Sequence, residues 1–197
     1  MWGDIAIAFL LAFITAFVIT PHTMRLAKKI GAIDIPNDRR VNKKPMPRLG
    51  GLAVIAGFLV SVLYLLIMMN FERTLDLFGT ENYYIKLIGF FLGILILGIT
   101  CFIDDVKGIH SLVKLSAQIV AAVVVVMCGI KIEDFTIPFL DNKIVIGDTF
   151  SYILTVCWIV GITNAINLID GLDGLSSGVC LISCLSLLII FSLNNSP

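Results

Sequence analysis

The sequence predicts an all-α fold, a polytopic bundle of six transmembrane helices forming one integral membrane domain over residues 1–197. Composition is the first reason: 58% of residues are apolar and 14% charged, where a soluble domain carries roughly a quarter charged residues. A mean hydropathy of +1.02 is the second. The third is clustering of the charges, which leaves uncharged stretches at Ile5–Met24, Leu49–Phe71, Leu87–Ile103, Leu115–Ile130, Thr149–Ile169 and Gly174–Pro197. The 14 Lys and Arg balance 14 Asp and Glu, so no net charge draws the chain to nucleic acid.

Taken in order, the spans are expected at about 5–24, 50–70, 84–103, 113–130, 149–169 and 175–193, since a bilayer core takes about 20 helical residues. The first is read as a span rather than a cleaved leader, because it has no basic leading segment and carries Asp4. The third and fourth uncharged runs are short. They gain length from Lys86, Lys114 and Lys131, whose stems can lie along apolar surface while the ammonium stays wet. Between spans four and five, Phe135–Leu140 and Lys143–Ile146 flank Asp141-Asn142, which predicts a small external β-hairpin at 135–146 with Pro138 on an edge strand. The five cysteines all lie in apolar runs and form no Cys-x-x-Cys pair, so neither disulfides nor a zinc site is expected.

Basic residues divide unevenly between alternate loops. Arg25–Arg48 holds eight and Lys107–Lys114 two, against four on the other side, Arg73, Lys86, Lys131 and Lys143. The positive-inside rule then orients the richer loops to the cytoplasm and the N-terminus outside.

The basic side also carries the polar patterns. Asp34-Ile-Pro-Asn-Asp-Arg-Arg-Val-Asn-Lys-Lys-Pro-Met-Pro-Arg-Leu-Gly-Gly51 precedes span two. Its charges alone could be a topology signal, but its prolines stiffen it, and Gly50-Gly51 beside Arg48 make a helix start suited to phosphate. Span three ends in Asp104-Asp105-Val-Lys107. Adjacent carboxylates at the negative end of a helix dipole need a cation nearby, either basic side chains or a hard divalent ion held through oxygen. Span five ends in Asn164-Ala-Ile-Asn167-Leu-Ile-Asp170-Gly-Leu-Asp173-Gly174. Polar residues every third position cannot share one helical face, so a break near Gly171 and Gly174 is expected to fold Asp170 and Asp173 back toward the asparagines. Amides at the end of an apolar span are either interhelical bonds or functional groups.

Together, Arg39–Gly51, the Asp104-Asp105 pair followed by Lys107, Lys114 and Gln118, and Asn164-x-x-Asn167-x-x-Asp170-Gly-x-Asp173-Gly-Leu175 resemble the polyprenyl-phosphate N-acetylhexosamine-1-phosphate transferases. Lys43-Lys-Pro-Met-Pro-Arg-Leu-Gly-Gly51 is more similar to the bacterial undecaprenyl-phosphate N-acetylglucosamine-1-phosphate transferases than to the phospho-MurNAc-pentapeptide translocases. The resemblance implies a bacterial plasma-membrane enzyme whose partners are a UDP-N-acetylhexosamine and a polyprenyl phosphate lipid, with UMP released on the cytoplasmic face and a homodimer allowed. It implies catalytic roles for Asp104, Asp105, Asp170 and Asp173, with Asp104 as base where one is needed. Substrate contacts fall to Lys44, Arg48, Lys107, Lys114, Asn164 and Asn167. Magnesium, or alternatively manganese, is expected on Asp105 and Asn167.

The family's later loops, with a further metal-binding Asp and a His-x-His-His sequence, have no counterpart here, since His22 and His110 stand alone. An N-terminal part of a longer fold is therefore expected, with the activity belonging to the complete protein. A catalytically inactive truncated subunit is one alternative of another class. A transporter fragment is a second, but it predicts polar groups spread through the bilayer's depth, and these collect at one end.

Overall fold

In a computed structural model of the chain, residues 2–35, 44–72, 83–136, 143–172 and 174–194 are described. Their elements run α1 (Trp2–Ile30), β1 (Ile33–Asp34), β2 (Met46–Pro47), α2 (Gly50–Glu72), α3 (Tyr83–Lys107), α4 (Ser111–Met127), β3 (Asp134–Thr136), β4 (Lys143–Val145), α5 (Asp148–Ile169) and α6 (Leu175–Asn194). All six expected spans are helices. Among the described residues five, all but α4, are long and apolar enough to cross a membrane.

α1 and α3, at 29 and 25 residues, run longer than expected. α1 runs 29 residues, about 43 Å at the standard rise, and carries Lys28 and Lys29 beyond the apolar stretch, where they favour the negative end of its dipole. It continues through Pro21, whose missing N–H leaves Phe17 O without its helical donor. Beside that gap Thr20 Oγ1 donates to Ala16 O (2.6 Å), and His22 Nδ1 lies 3.0 Å from Val18 O. α4 has 17 residues, about 25 Å, short of the roughly 30 Å core. It starts at Ser111 because the His110 imidazole accepts from Leu112 N (3.3 Å) as an N-cap, and this gives His110 a structural role.

The loop after α1 turns sharply. Gly31 has φ +79°, and Ala32 N reaches back to Ala27 O (2.9 Å), a Schellman closure that only a left-handed residue permits. The chain then pairs β1 with β2 antiparallel, Ile33 opposite Pro47 and Asp34 opposite Met46. Sequence reasoning missed this pair, because two-residue strands show no periodicity. At the other end of the bundle the expected hairpin forms between Asp134–Thr136 and Lys143–Val145, starting one residue earlier than predicted. Pro138 and Asp141-Asn142 lie outside the described residues.

Small residues set the packing. Where apolar side chains face lipid, little hydrophobic force drives helices together, and close backbone approach replaces it. Gly57 on α2 sits against α1, so that a Cβ there would lie 2.5 Å from Ala12 O. Gly89 and Gly93 of α3, a Gly-x-x-x-Gly pair, lie against Cys128 and the Val125 side chain at the end of α4. After α4 the chain is tied to α5: Ser151 Oγ donates to Ile132 O, Ile132 N donates to Thr155 Oγ1 (2.9 Å), and Lys131 Nζ meets Asp148 Oδ1 (2.5 Å). Lys131 is therefore ion-paired rather than merely reaching for water. The Asp148 carboxylate holds its ammonium above the usual lysine range.

α2 and α3 splay apart around an apolar groove of about 630 Å³, lined by residues from Leu52 to Phe102. α6 buries none of its span. At the basic end, Ala27, Ala32 and Leu49 form a buried cluster with Leu52, Phe102 and Val106 packed on it. This small core joins the end of α1, the start of α2 and the end of α3, directly beneath the polar residues.

Close approach at Gly57 makes a testable difference between glycines. Gly57→Ala is expected to cost about 1–3 kcal/mol by overpacking against Ala12, seen as a lower thermal midpoint in detergent. Gly161→Ala, with nothing within 4 Å of the added methyl, should leave the midpoint unchanged or raise it slightly.

Candidate active site

Four helix termini meet at the basic end. α2 and α4 begin there, while α3 and α5 end there. α3 closes at Gly108 (φ +64°), whose N–H bonds Asp104 O (2.8 Å). The Asp104 side chain then accepts from Ile109 N (3.1 Å), so the helix end and the orientation of this carboxylate are set together.

The other Asp104 oxygen receives Lys114 Nζ at 2.9 Å. The same ammonium donates to Asn167 Oδ1 at 3.3 Å. Lys114, in the first turn of α4, thus ties the end of α3 to the end of α5. One turn deeper, Asn164 Nδ2 donates to Gln118 Oε1 (2.6 Å) and to Val160 O (2.8 Å), so both its amide protons are used. The expected break follows directly: α5 stops at Ile169, Asp170 and Gly171 turn, and α6 starts at Leu175. Asn164 and Asn167 remain on the helix and face α4 at successive levels, while Asp170 stands in the exposed turn. Asp173 and Arg39–Lys43 lie outside the described residues.

Arg48 enters from the start of α2. Its Nε donates to Asp34 Oδ1 at 3.2 Å, its Nη2 bonds the same oxygen, and its backbone N–H donates to Ala32 O (3.0 Å). The β1–β2 pair holds this guanidinium in place. Asp34 is a site residue that sequence reasoning missed; a lone acid 14 residues upstream of Arg48 gave no signal of the pairing. Beside Arg48, Gly50 and Gly51 have open space where a Cβ would project, so the first N–H groups of α2 are approachable by an anion. Lys44 and Lys107 are exposed at the same end. Among the described residues neither joins the chain through Asp104, Lys114 and Asn167.

Asp105 is half-buried and lies in a field set by Asp104 and Asp170 on the negative side and Arg48 and Lys114 on the positive. Sequence reasoning required a cation for the Asp104-Asp105 pair, and Lys114 and Arg48 supply it. Four carboxylates, Asp34, Asp104, Asp105 and Asp170, stand with Arg48 and Lys114, and Lys44 and Lys107 are exposed at the same end. The donors on offer are carboxylate and amide oxygens, the set a hard divalent ion takes when substrate oxygens and water complete its shell. No group of three His, Cys, Asp or Glu close enough to hold a metal by themselves occurs among the described residues. In chemical terms, a half-buried carboxylate, a bridging ammonium and a fixed guanidinium can orient and neutralise phosphates at the end of a membrane bundle.

The family model for glycosyl transferase family 4 matches residues 87–197, which take in both carboxylate segments and the asparagines. A probable undecaprenyl-phosphate N-acetylglucosaminyl 1-phosphate transferase of Bacillus subtilis is 42% identical over 178 residues, covering 90% of this chain and 46% of the relative. A decaprenyl-phosphate N-acetylglucosaminephosphotransferase of Mycobacterium tuberculosis is 34% identical over 93% of this chain and 44% of its own length. A phospho-N-acetylmuramoyl-pentapeptide-transferase of Wolbachia is 27% identical over 91% and 56%. The chain thus spans about half the length of these relatives. No solved structure matches it. With the family model covering more than half of its length, the chain belongs to glycosyl transferase family 4.

Proposed function

We propose that the protein containing this chain transfers N-acetylglucosamine 1-phosphate from UDP-N-acetylglucosamine to a polyprenyl phosphate, undecaprenyl phosphate in a bacterial plasma membrane, and releases UMP. The observation that carries this reading is the Lys114 ammonium joining Asp104 and Asn167 beside Asp105 and Arg48. Three separate sequence segments are thereby gathered at one end of a membrane bundle. The names of the relatives at 42% and 34% identity support the substrates. The pentapeptide translocase alternative has the weaker support of a 27% relative.

In the transfer, an oxygen of the lipid phosphate bonds to the sugar-linked phosphorus, the bridging P–O bond breaks, and its electron pair leaves with UMP. Both reactants are polyanions, so the first task of the site is to offset their repulsion. Arg48 and the open start of α2 suit one phosphate group, and Lys114 suits charge building on the transferred phosphoryl. A lipid phosphate has its second pKa at roughly 6 and is mostly a dianion at neutral pH, so Asp104 has little proton to remove. Its ties to Ile109 N and Lys114 make it chiefly an organiser. Asp105 and Asn167, with Asp170 within electrostatic reach, are the residues that would hold magnesium. That ion, when bound, supplies charge neutralisation and a template for the diphosphate. Asp173, Lys44 and Lys107 remain candidates for nucleotide-sugar contacts on the family resemblance alone. The basic-loop excess supports a cytoplasmic site, where a soluble UDP-sugar meets a lipid acceptor.

Two experiments test this. In the complete open reading frame, Asp105→Asn is expected to lower UMP release from UDP-N-acetylglucosamine and polyprenyl phosphate by about a hundredfold or more at equal protein level. Retained turnover would remove Asp105 from the mechanism. On a cysteine-free background, a cysteine at exposed Ser111 should resist an impermeant maleimide added to intact cells, while one at exposed Ile144 should react. The reverse pattern would put the site on the wrong face for UDP-sugar.

A further inference from the structure

Gln118 is a buried polar group with no part in the chemistry above. It is 3% exposed, in a helix otherwise rich in Ala and Val, and its amide oxygen accepts from Asn164 Nδ2 at 2.6 Å across the α4–α5 interface. Burying an amide at the end of a membrane span is unfavourable unless it is partnered, and an apolar residue of similar volume would pack there without that requirement. The pair therefore does something that packing alone does not.

Its place on the helix indicates what that is. Lys114, Gln118, Ala122 and Val126 recur every fourth residue and form one ridge of α4. Ala122 and Val126 are buried and small or smooth, so they let α5 approach without fixing how far it slides. At the far end, the Ser151 and Thr155 bonds to Ile132 tie α5 to the chain following α4, more than two turns of helix from the site. Near the site, the register of the two antiparallel helices rests on two polar rungs. Gln118–Asn164 is short and buried. Lys114–Asn167, at 3.3 Å, is longer and more exposed. The deeper rung sets the outer one: the same two helices carry both, one turn apart.

We propose that Gln118 is a positioning residue. Through Asn164 it locks the register of α4 against α5, so that the Lys114 ammonium reaches Asn167 and Asp104 together. On this account one Asn164 amide proton serves the helix interface while the other bonds Val160 O of its own helix, and Asn164 acts on the reaction through Asn167 and Lys114. The inference rests on the transfer reaction proposed above only where activity is the readout; the register itself is a property of the fold.

The test uses the complete protein and two readouts. Without reference to activity, cysteines at 114 and 167 on a cysteine-free background should be joined efficiently by a short bis-methanethiosulfonate linker when Gln118 is present. Gln118→Leu should lower the linking yield severalfold. An unchanged yield overturns the proposal, whatever the enzyme does. With UDP-N-acetylglucosamine and polyprenyl phosphate, Gln118→Leu should lower kcat about tenfold or more, as misplacement of reacting groups does, with KM for the nucleotide sugar changed much less. The reciprocal pair Gln118→Asn with Asn164→Gln, which conserves the combined length of the two amides, should recover most of that loss. Failure of the pair to exceed the worse single variant, per folded molecule, also overturns the proposal. If the parent protein releases no UMP, the proposed reaction falls, and the linking yield still decides the register.

Discussion

Much of the charge at the basic end opposes the dipole of the helix that carries it, although Lys28, Lys29 and Lys107 do not. A helix favours acids at its N-terminus and bases at its C-terminus, each by about 0.3–1 kcal/mol at an exposed end. Here Asp104, Asp105 and Asp170 stand at the C-terminal ends of α3 and α5, while Arg48 and Lys114 stand at the N-terminal ends of α2 and α4. Each helix alone would be better without them. What compensates is contact between segments: Lys114 to Asp104 and Asn167 across helices, and Arg48 to Asp34 within the loop that holds β1 and β2. Charges that oppose their own dipoles and still gather in one place break a local rule of helix stability, as binding and catalytic sites do.

The rest of the fold supplies the constancy this cluster needs. Gly57, Gly89 and Gly93 bring backbones close enough that α1 with α2, and α3 with α4, behave as paired units. The buried cluster of Ala27, Ala32 and Leu49, with Phe102 and Val106 on it, fastens one pair to the other under the polar residues. The β1–β2 pair fixes Arg48 from above. By contrast α6 and the α2–α3 groove leave broad apolar surface, and the chain spans about half the length of its relatives.

Much of this was legible in the sequence. Runs of uncharged residues located all six helices, and two short runs rich in Ile, Val and Phe on either side of Asp141-Asn142 located the hairpin, because burial in lipid and strand pairing both leave a mark in composition. Helix ends were less legible. α1 passes Pro21, where a proline would ordinarily end or kink a helix, and α4 starts early because His110 caps it. At the site, the need of Asp104-Asp105 for a cation and the break after Asn167 both followed from local electrostatics and helix geometry. The partner of Arg48 did not, nor did the bond from Gln118 to Asn164. Those contacts join residues 14 and 46 positions apart, and only packing brings them together.

The central claim is that the Asp104–Lys114 pair is held for the reactants and not for the stability of the bundle. Thermal unfolding of the complete protein carrying Asp104→Asn with Lys114→Met measures this most directly, because the double change removes both dipole conflicts without leaving either charge unpaired. A midpoint equal to or above the parent's is the predicted result. A clearly lower midpoint would make the pair structural scaffolding and contradict the account.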